Sequence, residues 1–337
     1  MMATVCHWLR ALGSAGAPSW QHRLVVVAAA AVILAACAEP PPSGVSRVGR
    51  GAGPASEADL APSPTDGEAQ ALRTATGVVV AVLGRVGEGY LVRTPCDREV
   101  VVSGGTPLAG ATVVLDPGHG GSETGAVGAN GLTEAELNLA VAELAKGELE
   151  AAGASVVLTR TADYRMALAP RAEIATRLDT RAFISIHHNG DADGPSDRPG
   201  TETYAQLASP ESRRLSGLVY EEVVRALAAY DNVPWVADRD AGAKFRANDE
   251  GGDYYGILRR SAGVPAVLSE ALFLSNPPEA ELLARADVRQ AEAEAISRAV
   301  VRFLTSDDPG SGYVEPYART EAAGSGGGSG GCTDPPL

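Results

Sequence analysis

The spacing of apolar positions changes several times along this chain. A continuous apolar run, Leu24–Ala36, follows Arg23. From 38 to about 70 the apolar residues are scattered among Pro, Gly, Ala and Ser, a composition that forms a flexible tether rather than a core. Short Val-rich runs follow between Gly77 and Gly105: Val78–Leu83, Tyr90–Arg93 and Glu99–Val102. They predict a small β-hairpin or meander. From Ala111 onward, runs of strand character alternate with runs of helical period. Ala111–Leu115, Ser155–Leu158, Ala182–His187, Glu202–Gln206 and Pro265–Ser269 read as strands. Helices are expected from Thr133, over Pro170–Leu178, from Ser209 to about Ala228, and twice more before about Leu304. Thr133 and Glu136 have capping-box spacing, and Leu137, Val141 and Leu144 share one helical face. Pro170 suits a first helical turn.

This alternation predicts an α/β fold: a mostly parallel open sheet with helices on both faces, preceded by a small β-hairpin segment. Ligands of such sheets bind beyond the carboxyl ends of the strands.

The opening run is the length of a signal-peptide core and too short to span a bilayer. It ends in Leu34-Ala35-Ala36-Cys37, the pattern of a bacterial lipobox, in which the cysteine is acylated. The expected map is therefore an export leader with lipobox over 1–37 and a disordered linker over 38–70. A small β segment over 71–110, the main domain over 111–305 and a low-complexity tail over 306–337 follow. An acylated Cys37 would anchor the protein to a membrane without spanning it. The expected location is the cell envelope, either as a membrane-anchored lipoprotein or as a periplasmic or extracellular protein. Beyond Cys6 and Cys37 only Cys96 and Cys332 remain, a possible disulfide in an oxidising compartment.

The formal net charge of −14 argues against a phosphate-rich partner, so no nucleic acid is expected. A monomer is expected.

Of the five histidines, only His119, His187 and His188 lie beyond the leader. His119 follows the first strand in Asp116-Pro117-Gly118-His119-Gly120-Gly121, and His187 and His188 close another in Ser185-Ile186-His187-His188-Asn189. A catalytic zinc site needs three protein ligands, commonly His and Glu, and one open position. Strand alternation puts Ser185 and His187 on one face and turns His188 away, so His187 is the better ligand. Of the two acids at the helix start, Glu136 fits the capping box, which leaves Glu134 for metal. Glu270 is expected to close an apolar strand; such surroundings raise a carboxyl pKa and suit a general acid or base.

At these residues the chain resembles the type 3 family of zinc-dependent N-acetylmuramoyl-L-alanine amidases. The matching segments are the Asp116–Gly121 run, Gly131-Leu132-Thr133-Glu134, Ser185–Asn189, and Val267–Asn276 with Glu270 inside it. The resemblance implies one Zn2+ held by His119, Glu134 and His187, with Glu270 catalytic. It implies peptidoglycan or muropeptides as substrate, cut between N-acetylmuramic acid and L-alanine. The rival readings are a non-catalytic peptidoglycan-binding or regulatory protein and a zinc peptidase acting within the stem peptide. His188 departs from the family, which usually has a small residue there; it could contact substrate, accept a proton or face away. Asn189 is a further candidate for substrate contact. Arg171 has two readings, a partner for a stem carboxylate or for an internal acid. Asp116 either orients His119 from the second coordination shell or only shapes the turn.

Overall fold

Period-two alternation in the central strands sends successive side chains to two different cores. In the computed structural model, which describes residues 59–63, 67–191, 194–197, 199–230, 242–314 and 322–337, Val113, Leu115, Ile184 and Ile186 enter one core. Val114, Phe183 and Leu268 enter the other. These residues belong to β6 (Val113–Pro117), β8 (Ala182–Asn189) and β11 (Ala266–Phe273), the middle of a six-stranded sheet. Its order is β10-β9-β11-β8-β6-β7, with β7 at Val156–Leu158, β9 at Glu202–Ala205 and β10 at Gly242–Lys244. β7, β6, β8 and β11 run parallel. β9 is antiparallel to β11, and β10 follows β9. A sheet buried on both faces needs near-continuous apolar strands, which these are.

The first core is closed by α1 (Glu134–Ala151), α3 (Pro210–Leu227), α5 (Pro277–Leu283) and α6 (Ala286–Thr305). The second is closed by α2 (Leu168–Arg177), α4 (Gly256–Arg260) and an additional sheet. The expected mostly parallel sheet with helices on both faces is the observed one. Helix starts agree with their local chemistry. Thr133 and Glu136 make both bonds of the capping box that opens α1, and Ser209 caps α3 with Pro210 in its first turn. α2 begins two residues before Pro170.

The segment read as a hairpin is larger. Five antiparallel strands, β1 (Ala71–Arg73), β2 (Val79–Val86), β3 (Gly89–Arg93), β4 (Glu99–Val102) and β5 (Thr106–Leu108), pair in the order β4-β3-β2-β1-β5. Two of these strands have three residues each, too short for a periodic signal. Val79, Val80 and Ala81 of β2 are fully buried in the second core, and Arg93 pairs with Glu173 of α2 at 3.1 Å. The sheet is thus bonded to the face of the main domain that carries the cleft described below.

Part of the tail also follows a fixed path. Cys96 and Cys332 form a disulfide across 236 residues of sequence, with Cα atoms 5.5 Å apart, and Leu337 packs on the second core. The leader, the lipobox Cys37 and most of the linker lie outside the described residues. No helix among the described residues is long and apolar enough to cross a membrane.

Candidate active site

The loop after β6 is shaped to bring its histidine back over the sheet. His119 itself adopts a left-handed backbone, φ 59°, which costs a non-glycine residue energy and is retained where surrounding structure enforces it. Gly118 allows the approach of β8: a Cβ there would sit 2.2 Å from His187 Cε1. Gly125, at φ 68°, leaves room for Glu134, whose Oε2 would lie 2.3 Å from an added Cβ.

Three side chains converge on this loop. Glu134 is the first residue of α1, where the helix dipole favours a carboxylate. Its Oε1 is 3.1 Å from His119 Nε2 and 2.8 Å from His187 Nδ1. The amide of Ala126 donates to its Oε2 at 2.9 Å. The potential ligand atoms of His119, Glu134 and His187 lie within 4.8 Å of one another. Two imidazoles and a carboxylate are a common donor set for catalytic zinc, with one coordination position left for water or substrate. The site therefore fits the ion that the sequence implied.

The electrostatics separate the two acids. Burial pushes the Glu134 carboxyl up, but hydrogen bonds to His119 and His187 outweigh it and hold the group well below the usual carboxylate range. Burial lowers the His187 imidazole despite its carboxylate partner, which favours the neutral form a metal ligand needs. Glu270 goes the other way: burial, then the charges of Glu134 and Glu202, push it well above the usual range. Strand register explains this crowding, because Glu270 pairs with His187 on one side and with Glu202 on the other.

Glu270 does not close its strand as expected. β11 runs on to Phe273, with its register on β8 shifting just past Glu270, because Ala271, Leu272 and Phe273 are also apolar and buried. The carboxylate therefore stands within the sheet at an irregularity that locally re-aims side chains.

Other expected contacts fall differently. Arg171 is buried, and its guanidinium is used internally. Nη1 donates to Asp116 Oδ1 at 2.9 Å and Pro117 O at 2.7 Å, Nη2 to His119 O at 2.7 Å, and Nε to Met166 O at 3.0 Å. Of its two readings, the structure gives the internal acid. Asp116 does not touch the His119 imidazole. It accepts from Arg171, Thr159 and Ser185 and bears on the His119 backbone only through Arg171. Burial raises the Asp116 carboxyl, but Arg171 and the two hydroxyls prevail and hold it below its usual value. His188 faces the first core, away from His187, and bonds to Asn138 and Glu292. Asn189 donates to Glu202 at 2.9 Å.

The sequence reading missed Asn138, which donates to Glu134 Oε1 and to Gly118 O, both at 3.3 Å. Its position four residues after Glu134 put it on the same helical face, and a buried amide there was the available signal. Tyr254 and Tyr255 were also missed. With His119, His187, Leu168 and Ile257 they line a cleft of about 600 Å³ on the second-core side.

Residues 113–302 match the family model described as N-acetylmuramoyl-L-alanine amidase. The chain belongs to this family. Among named relatives of the amidase, LytC of Bacillus subtilis is 34% identical over 199 residues, which are 58% of this chain and 36% of LytC. AmiA of Escherichia coli is 30% identical over 220 residues, covering 57% of this chain and 75% of AmiA. The solved structure of the amidase AmiC2 from Nostoc punctiforme is 29% identical, covering 57% of this chain and 96% of that one, with a TM-score of 0.46. The five-stranded sheet and the tail lie outside the matched span of the amidase model.

Proposed function

We propose that this amidase hydrolyses the amide between N-acetylmuramic acid and L-alanine in peptidoglycan, with one zinc ion held by His119, Glu134 and His187 and with Glu270 as the proton-transfer group. The observation that carries this is the convergence of both imidazoles on Glu134 Oε1, with Glu270 in register beside His187. Bound zinc supplies a Lewis acid for the scissile carbonyl. Glu270, its carboxyl held high, takes the proton of the attacking water and delivers it to the departing alanine nitrogen, worth about 10²–10⁴-fold in rate. Leu168, Tyr254 and Ile257 are among the residues that line the cleft beside His119 and His187 and offer apolar surface to a bound substrate.

The protein acts in the cell envelope, exported by the leader and anchored through Cys37. A disulfide such as Cys96–Cys332 is at home in an oxidising compartment, which supports export.

The test is incubation of the zinc-loaded protein with a defined muropeptide, beside Glu270→Ala, with products identified by mass spectrometry. Free stem peptide and intact sugar from the unaltered enzyme only are expected. Cleavage inside the stem would make it a peptidase, and no cleavage with zinc bound would make it a binding protein.

A further inference from the structure

Glycine-rich sequence such as residues 324–331 ordinarily behaves as flexible coil, and glycine loses more freedom on ordering than any other residue. Here the segment follows one path because it is fastened along its length. The Gly324 amide donates to Tyr254 O at 3.1 Å, and Arg259 donates to Gly324 O at 3.0 Å. The Leu168 amide donates to Gly327 O at 2.9 Å, and Arg165 donates to Gly328 O at 2.9 Å. Cys332 is then bonded to Cys96. Beyond it, Asp334 accepts from the Cys96 amide at 2.7 Å and from Arg98 at 3.0 Å.

This strap borders the reaction site. Gly324, Gly326 and Gly327 line the same cleft as His119 and His187. Gly327, at φ 74°, packs so closely that a Cβ would sit 2.4 Å from Leu168 Cγ. A Cβ on Gly326 would meet nothing within 4 Å, so that residue faces open space. The fastening bonds at Gly327 and Gly328 use carbonyls. The amides of Ser325, Gly326 and Gly327 make no hydrogen bond to any described residue. Gly326 and Gly327 are among the residues that line the cleft, so these main-chain N–H groups, strong hydrogen-bond donors, stand beside the space a peptide would occupy.

We propose that Gly324–Gly327 is a substrate-binding wall of the cleft that takes acceptor oxygens of the peptide stem through the amides of Ser325, Gly326 and Gly327, and that the Cys96–Cys332 disulfide holds it there. The proposal rests on the amidase reading for the identity of the peptide. Its consequence is that a bond outside the matched family span sets how tightly substrate is held, while the chemistry stays with His119, Glu134, His187 and Glu270.

The full chain with its disulfide formed is compared with Cys332→Ser, with Gly326→Pro, which removes one amide donor and keeps the disulfide, and with Gly328→Ala as a control outside the cleft. Thermal melting establishes that each is folded. A synthetic stem peptide is titrated by calorimetry, and KM, kcat and zinc content are measured with a muropeptide. Gly326→Pro is expected to weaken peptide binding and raise KM about fivefold, the worth of one hydrogen bond, with kcat and zinc content unchanged. Cys332→Ser should do at least as much, and Gly328→Ala should do nothing. Unchanged Kd and KM in Gly326→Pro would overturn the proposal while leaving the amidase reading intact. If the unaltered protein cleaves no muropeptide, the amidase reading fails, and calorimetry alone decides the strap. Peptide affinity lost in Gly326→Pro sustains it as a peptide site, and no peptide binding by the unaltered protein overturns it.

Discussion

His188 Nε2 lies 3.0 Å from Glu292 Oε2, both side chains fully buried between β8 and α6. On its other side His188 Nδ1 is 2.8 Å from Asn138 Oδ1. The Asn138 amide nitrogen donates to Glu134 and Gly118, so its oxygen must accept, and His188 Nδ1 must carry a proton. The bond to Glu292 then holds one further proton, on either His188 or Glu292. A polar chain thus runs from α6 through His188 and Asn138 to Glu134 Oε1, the same oxygen that meets His119 and His187.

Removing one end of this chain should be costly. Glu292→Ala leaves His188 Nε2 buried without its partner and should destabilise the fold by about 3–5 kcal/mol, the penalty for breaking a buried pair. Glu292→Gln can still donate to neutral His188 and should lose less. Asn138→Ala should weaken zinc binding about 10–100-fold, as loss of a ligand's outer partner does. Urea unfolding and zinc competition with a chelator read the two effects separately. Equal stability of Glu292→Ala and the unaltered protein would show that the pair contributes nothing.

Arg171 should behave as a structural residue. Its partners are Asp116 and the backbone of the His119 loop, so Arg171→Ala is expected to cost about 3–5 kcal/mol by stranding the Asp116 charge. The denaturation midpoint should fall sharply. A raised KM at an unchanged midpoint would instead restore the reading in which Arg171 binds a stem carboxylate.

How far the sequence carried these conclusions follows from where each signal lies. Strand alternation separated His187 from His188, and the capping box separated Glu134 from Glu136, because both are periodicities within one element. The Glu292 partner of His188 was invisible: it lies 104 residues away, in a helix where an acid reads as solvent-facing. β1 and β5 were missed because three residues cannot show a period. The strap was missed because glycine-rich composition announces freedom, whereas its order comes from Arg165, Arg259 and a disulfide contributed by distant parts of the fold.

Glu279 gives a pH dependence with a definite sign. Its carboxylate accepts from the amides of Phe273 at 2.7 Å and Gly200 at 2.9 Å, yet burial prevails and raises its pKa from 4.5 to about 7. The folded state then holds this proton where the unfolded state has released it. Its contribution to stability is therefore complete below about pH 4.5 and is lost as pH rises to about 7, by up to ~1.4 kcal/mol per pH unit. Glu279→Gln should remove that slope. Denaturant melts at pH 5 and pH 7 should show the difference between variant and unaltered protein shifting in favour of the variant at the higher pH. A pH-independent difference would contradict the raised value.

The last expectation concerns Gly118, where backbone freedom is not the issue and space is. Its Cβ would lie 2.2 Å from His187 Cε1 and 2.3 Å from Nε2, so the ring must move or the loop must withdraw. Either displaces a ligand from Glu134 by more than a coordination bond tolerates. Gly118→Ala should therefore weaken zinc binding at least about tenfold while the helical content stays intact. Gly147, in the exposed interior of α1 with nothing within 4 Å of an added Cβ, is the matched control. Gly147→Ala should leave zinc affinity unchanged and add up to about 1 kcal/mol of stability through helix propensity. Chelator competition on both variants checks the pair, and full zinc affinity in Gly118→Ala would mean that His187 is not a ligand.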